Sequence, residues 1–178
     1  MCSHMVLMAA YNAWMNQNLY RAAARLSPEE LIADRGAFFG SLMGTLNHMV
    51  VADRIWLQRF ASHPAQHSAL DPIRYLPTPT ALDQILFAEL AALAEHRAML
   101  DDIISTWVAS LTETDLDYRL SYSDRKGVTH RKRLSSLLLH FFNHQTHHRG
   151  QATTLLTQAG QDVGVTDLLV LIPNETLN

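Results

Sequence analysis

Leu134-Ser-Ser-Leu-Leu-Leu-His140-Phe-Phe-Asn-His144-Gln-Thr-His147-His148-Arg-Gly-Gln151-Ala-Thr-Thr-Leu155-Leu-Thr-Gln-Ala159 reads as one long helix, stopped by Gly160. At about 100° per residue, Leu134, Leu137, Phe141, Ala152, Leu155 and Ala159 share one apolar stripe. With His144 set at zero, the stripe centres near about 60° and His148 lies at about 40°. His140 and His147 fall at about −40° and −60°, on the flank. So His144 and His148 point inward, one turn apart. An inward imidazole left without a partner costs roughly 1–3 kcal/mol. A metal ion removes that cost for both rings at once; the alternative is a pair of hydrogen-bonded core histidines.

Three further long stretches carry helical periodicity. The first runs from Val6 to Leu26, the second from Phe38 to Phe60 and the third from Ala81 to Leu111, with Thr80 as its expected cap. Ser27-Pro28-Glu29-Glu30 is a start signal for a short helix, interrupted by Gly36. Residues 61–80 hold four prolines and no sustained period, and read as a long connection. Thr112 to Asp115 reads as a turn. Tyr118 to Tyr122 alternates and is followed by a turn ending at Gly127, which suggests a small β-hairpin. Leu168 to Ile172 is apolar and is expected to pack onto the helices. The expected fold is all-α: a four-helix bundle forming a single domain over residues 1–178, with a small loop or β-hairpin insertion between the third and fourth long helices.

A third inward ligand must come from another helix. His48 is the candidate: Gly44, Thr45 and Ala52 beside it are small and leave room for a cavity. The competing reading is a His filling a tight helix crossing. His96 is a weaker alternative at a helix boundary. His63, His67 and His130 lie in connections and are expected to be solvated. Tyr11, Asn12 and Asn16 could support a site, or serve as capping and surface groups.

The chemistry that other motifs would supply is missing. Gln145 stands where a His-Glu-x-x-His protease needs its general base. There is no His-Cys-Cys set for a deaminase, and no core Glu-x-x-His pair for a di-iron centre. Of 178 residues 48% are hydrophobic and 17% charged, enough for a packed core. A net charge of −3 disfavours nucleic acid as a partner, and the basic cluster Arg125, Lys126, Arg131, Lys132, Arg133 reads as a solvated turn. Cys2 is the single cysteine, which fits a reducing, cytoplasmic setting. No run is long enough to span a membrane, and no secretory signal is expected at the start.

Two stretches carry a resemblance: Gly44-Thr-Leu-Asn47-His48-Met-Val-Val-Ala-Asp53-Arg-Ile-Trp56 and Asn143-His144-Gln-Thr-His147-His148-Arg149-Gly150-Gln151. Together with Tyr11-Asn-Ala-Trp14-Met-Asn16, they resemble the DinB/YfiT-like superfamily over about residues 6–160. The resemblance implies a four-helix bundle, often a homodimer, with a divalent metal, usually Zn²⁺ or Ni²⁺, on three histidines. Carried to this chain these are His48, His144 and His148; the donor set also admits Fe²⁺.

Relatives include thiol S-transferases that use bacillithiol or mycothiol and a mycothiol-dependent maleylpyruvate isomerase. Others are catalogued as damage-inducible proteins or metal-dependent hydrolases. The expected function is a metal-dependent enzyme that activates a low-molecular-weight thiol, or water, toward a small-molecule substrate. The rival is a non-catalytic, stress-associated metal-binding module. Self-association is expected from Leu139 and Phe142, read as a second apolar face on the fourth helix. Metal affinity is expected to fall as pH drops through about 6.

Overall fold

The computed structural model describes residues 1–174, so the last four residues of the tail lie outside it. In chain order the helices are α1 (Cys2–Ala23), α2 (Pro28–Ile32), α3 (Leu42–Phe60), α4 (Asp71–Arg74), α5 (Leu90–Ser110), α6 (Glu113–Asp117) and α7 (Leu134–Gln158). Two strands, β1 (Arg119–Ser123) and β2 (Thr129–Arg133), pair antiparallel with Tyr122 opposite His130. The fold is therefore mostly helical with one small hairpin, placed where the alternation at Tyr118–Tyr122 predicts it. The long helix α1 packs on α5 and α7, and α3 packs on α7 and α5. Leu19, Leu46, Met49, Leu100, Ile104 and Trp107 are fully buried between them.

Local signals explain most boundaries. Ser27 and Glu30 form the capping box of α2, with Ser27 N–H donating to Glu30 at 2.8 Å. Thr112 and Asp115 do the same for α6, a short helix where a turn is expected from sequence. Between 61 and 80 the chain is not featureless: a short 3-10 turn at Ser68–Leu70 and α4 bury Leu70 and Ile73 completely.

Two long helices start later than their periodicity suggests. α3 begins at Leu42, not Phe38, because Gly36 and Gly40 adopt φ of 68° and 72° and Ser41 caps the helix by accepting from Gly44 N–H. α5 begins at Leu90, not Ala81. Buried Asn47 claims the backbone upstream: its Oδ1 accepts from Leu86 and Phe87 N–H at 2.8 and 3.0 Å, and its Nδ2 donates to Phe87 O at 3.0 Å. Those tertiary bonds replace the first turns of a helix and lay residues 82–87 across α3.

Leu139 is 57% exposed, but Phe142 is only 2% exposed and belongs to the core, so the expected apolar back face is reduced. In the tail, Leu168–Leu171 forms a 3-10 turn against α1, and Tyr11 O–H donates to Thr166 O at 2.6 Å. Leu169 stays 73% exposed, so the expected packing of this segment is only partial.

A buried polar network ties the four long helices together. Arg97 on α5 reaches Asp53 on α3 at 2.5 Å and Asp101 at 3.0 Å. Asn12 and Asn16 on α1 donate to Asp101 at 2.9 and 3.0 Å. From α7, Gln145 donates to Asp53 and Arg149 donates to Asn12. Asn12 and Asn16 are thus neither surface nor capping groups, and their side-chain hydrogen bonds go to Asp101 and Arg149. Burial pushes the Asp53 carboxyl above its ordinary value, and the Arg97 guanidinium beside it opposes that rise.

Candidate metal centre

Packing of α3 against α7 brings His48 over His144 and His148. Their Nε2 atoms lie 3.4 Å (His48–His144), 3.2 Å (His48–His148) and 3.1 Å (His144–His148) apart. Among the described residues these three form a group whose ligand atoms could hold a metal ion, and no fourth His, Cys, Asp or Glu joins it. His148 and His48 are buried and His144 is half-buried. His140 and His147 are exposed, as the stripe on the fourth helix predicts. His96 sits apart, its ring 4.9 Å from that of Phe87.

The far side of each ring decides which nitrogen carries the proton. Leu82 O lies 2.8 Å from His48 Nδ1, and Gln151 Oε1 lies 2.7 Å from His148 Nδ1. Both oxygens accept, so both Nδ1 atoms carry hydrogen and both Nε2 atoms present bare lone pairs to one another. Lone pairs at such distances repel, and a shared cation relieves the repulsion. Nitrogens about 2.1 Å from one tetrahedral ion are about 3.4 Å apart, close to the observed spacing. The donor set and the spacing therefore fit a divalent ion. The two acceptors that fix the tautomers are thus a backbone carbonyl and the Gln151 side-chain amide. The displaced start of α5 acquires a purpose here: the stretch pinned by Asn47 supplies Leu82 O.

Burial holds the His48 and His148 imidazoles below their ordinary value. His144 is pushed down to about 3 by burial, helped by the neighbouring imidazoles of His148 and His48. Protons therefore compete for the ligands only in more acid solution than the sequence alone suggests. Metal content is expected to stay level between about pH 7.5 and about pH 6 and to fall below that. For the metal-free protein the sign is equally definite. A lowered folded value gives stability that is complete above the ordinary value of 6.5 and lost as pH falls below it. Zinc content after dialysis and urea midpoints across that pH range check the two statements.

Gly44 leaves room in a different sense from that expected. A Cβ there would sit 2.1 Å from the carbonyl oxygen of Phe39, so glycine permits a close backbone approach and not an open cavity. That approach stacks Phe39 on His48, with ring centroids 3.9 Å apart. Gly44→Ala is expected to lose about 1–3 kcal/mol in urea denaturation and to disturb the His48 ring.

The cavity itself opens on the Ala52 side. It measures about 420 Å³, and His48, His144, Trp56, Arg59, Arg125 and Lys126 are among its walls. Arg125 and Lys126 come from the hairpin turn, and Arg59 lies over Trp56 at 4.6 Å from the ring centroid. The cluster read from sequence as a solvated turn thus contributes two cations to the chamber beside the histidines. Nothing in the linear spacing signals this, because Arg59 and Arg125 meet only through the fold. Asp124 also lines the chamber but is committed: it accepts from Lys126 and Val128 N–H and pairs with His130 at 3.0 Å. A second cavity of about 450 Å³ near α2 is mostly apolar and has no histidine.

Comparison with known proteins gives the family. Protein DinB of Bacillus subtilis (strain 168) is 25% identical over 158 residues, covering 88% of this chain and 87% of that protein. No solved structure matches. The family model described as DinB family matches residues 1–175, which takes in all three histidines and all four long helices: the chain belongs to the DinB family.

Proposed function

We propose that His48, His144 and His148 hold one divalent metal ion, zinc or nickel before iron(II), and that the chain is a metal-dependent thiol S-transferase built as a DinB-type four-helix bundle. The observation that carries this reading is the convergence of three Nε2 atoms within 3.4 Å, two of them kept as bare acceptors by Leu82 O and Gln151 Oε1. A divalent ion on such ligands lowers the pKa of a coordinated thiol or water and presents it as a nucleophile. The protein's own residues bind and orient. Arg59, Arg125 and Lys126 supply positive charge that holds anionic parts of a small thiol and favours its thiolate. Trp56 gives an apolar wall for the electrophile.

Thiol transfer is preferred to hydrolysis because Asp124, the one carboxylate lining the chamber among the described residues, is occupied by hydrogen bonds and is not free to act as a base. A non-catalytic, structural metal would call for a fourth protein ligand. The reading includes a single domain over residues 1–178, a cytoplasmic setting and a homodimer that buries Leu139. Metal analysis of protein purified without a nickel column comes first. An assay with glutathione, bacillithiol and mycothiol against a generic electrophile follows. Metal-dependent turnover with any one thiol supports the reading; bound metal with no thiol turnover, but hydrolysis of an ester or amide panel, transfers it to the hydrolase.

A further inference from the structure

We propose that His63, His67 and Asp115 form a second divalent-metal site, of the zinc class, that braces the long connection after α3 against α6. The sequence reading leaves both histidines in solvent; the structure does not. His63, just beyond the end of α3, is 4% exposed, and the side chains of His67 and Asp115 are 10% and 13% exposed. One ligand atom from each lies within 4.8 Å of the others, and His67 Nε2 is 3.9 Å from Asp115 Oδ1.

The polar inventory at this spot is incomplete. Among the described residues, His63 Nε2 and His67 Nε2 are buried with no hydrogen-bond partner. Asp115 spends Oδ2 on the Thr112 cap, leaving Oδ1 toward the histidines. A proton shared between His67 and Asp115 would leave His63 Nε2 with no side-chain partner and only the nearby Asp115 backbone to turn to, whereas one cation serves all three groups. The walls are aromatic: the Tyr118 ring lies 4.5 Å from His63, and fully buried Trp107 lies 6.5 Å from His67. Such walls keep water from competing.

The backbone is shaped for the juxtaposition. Gln66 adopts φ of 46°, a conformation that non-glycine residues rarely hold, and its N–H donates to His63 O at 2.9 Å. That tight turn sets His67 beside His63. The cluster is somewhat wider than the roughly 3.4 Å between ligands on one tetrahedral ion. His67 lies outside any helix and its side chain can close the gap. Ala65 N–H donates to His63 Nδ1 at 3.1 Å, so ligation through Nε2 releases that bond; Ala65 is exposed and its N–H can hydrate. Two imidazoles and a carboxylate suit Zn²⁺ and its neighbours in the divalent series. The site is separate from the three-His centre: His63 lies 15 residues beyond His48, roughly 20 Å at 1.5 Å per residue.

The test counts zinc in the full chain, purified without a nickel column, saturated with zinc and then desalted. His148→Ala disables the first centre, so the two sites are read separately. That variant is expected to keep one equivalent of zinc and to gain thermal stability on zinc addition. Adding His67→Gln, or separately Asp115→Asn, which retains an acceptor for the Thr112 cap, should lower zinc affinity by at least about tenfold and remove that gain. Asp115→Asn is the variant to read if His67→Gln does not fold. The proposal is overturned if His148→Ala alone holds no zinc, or if its zinc survives both added substitutions and is therefore adventitious. Zinc in wild-type protein that is unaffected by His148→Ala contradicts the three-His reading instead.

Discussion

Replacing His148 with Ala is expected to strip the metal from the three-His centre and abolish metal-dependent activity, whereas His147→Ala spares both. The two residues are adjacent in sequence and alike in chemistry, so the comparison isolates geometry. His148 Nε2 lies 3.2 and 3.1 Å from the Nε2 atoms of His48 and His144, and Gln151 fixes its tautomer from behind. His147 is exposed; its Nε2 lies 3.3 Å from the Gln151 amide and its ring packs edge-on 4.8 Å from that of His148, but it does not join the ligand group. Losing one of three imidazole ligands should cost more than the 10–100-fold typical of losing a residue that merely orients a ligand, so the affinity loss is set at about 100-fold or greater. The stability readout has a diagnostic sign. Without metal, His148→Ala removes a crowded, repelling imidazole and should leave the urea midpoint close to wild type or above it. With zinc added, wild type gains stability in proportion to occupancy while the variant gains little from this centre. Metal retained by His148→Ala but lost by His147→Ala would mean that the face of α7 has been assigned wrongly and the ligand set must be redrawn.

That face was legible because a helix is periodic. The apolar residues from Leu134 to Leu155 define an angle, and His144 and His148 either share it or do not. His48 was legible less securely: the small residues beside it mark something close, but Gly44 turned out to admit the Phe39 backbone and Ala52 the cavity. What resisted reading was whatever depends on contacts distant in the chain. Asn47 stops α5 from starting at Ala81 by bonding the backbone 39 and 40 residues away, and no local propensity encodes that. Asn12 and Asn16 look like surface residues on α1 until Asp101, 89 and 85 residues later, is placed against them. His63 and His67 were assigned to solvent because prolines mark the segment as a connection, and the aromatic cover from Trp107 and Tyr118 arrives from α5 and the residue after α6.

The second large effect lies in the core. Asp53→Ala is expected to destabilise the protein by about 3–5 kcal/mol, because removing one member of a buried ion pair leaves its partner charged and dry. Arg97 is 1% exposed and would keep only Asp101; Gln145, 0% exposed, would lose the carboxylate its amide donates to. The pair itself contributes far less than this, since bringing both charges out of water opposes their attraction. The double variant Asp53→Ala with Arg97→Leu should therefore cost less than the sum of the two single changes, a coupling readable in a urea double-mutant cycle. Additive losses would mean that Asp53 and Arg97 do not act on each other in solution. The consequence reaches the histidines by two short paths. Asp53 follows His48 by five residues on α3, and Gln145 follows His144 directly on α7. The Gln145–Asp53 bond thus sets how far α3 and α7 slide past each other, and so whether the Nε2 atoms meet. The milder Asp53→Asn, which keeps the size of the side chain, should fold and yet bind metal about tenfold more weakly. Unchanged affinity in that variant would show that helix packing alone holds the three histidines in place.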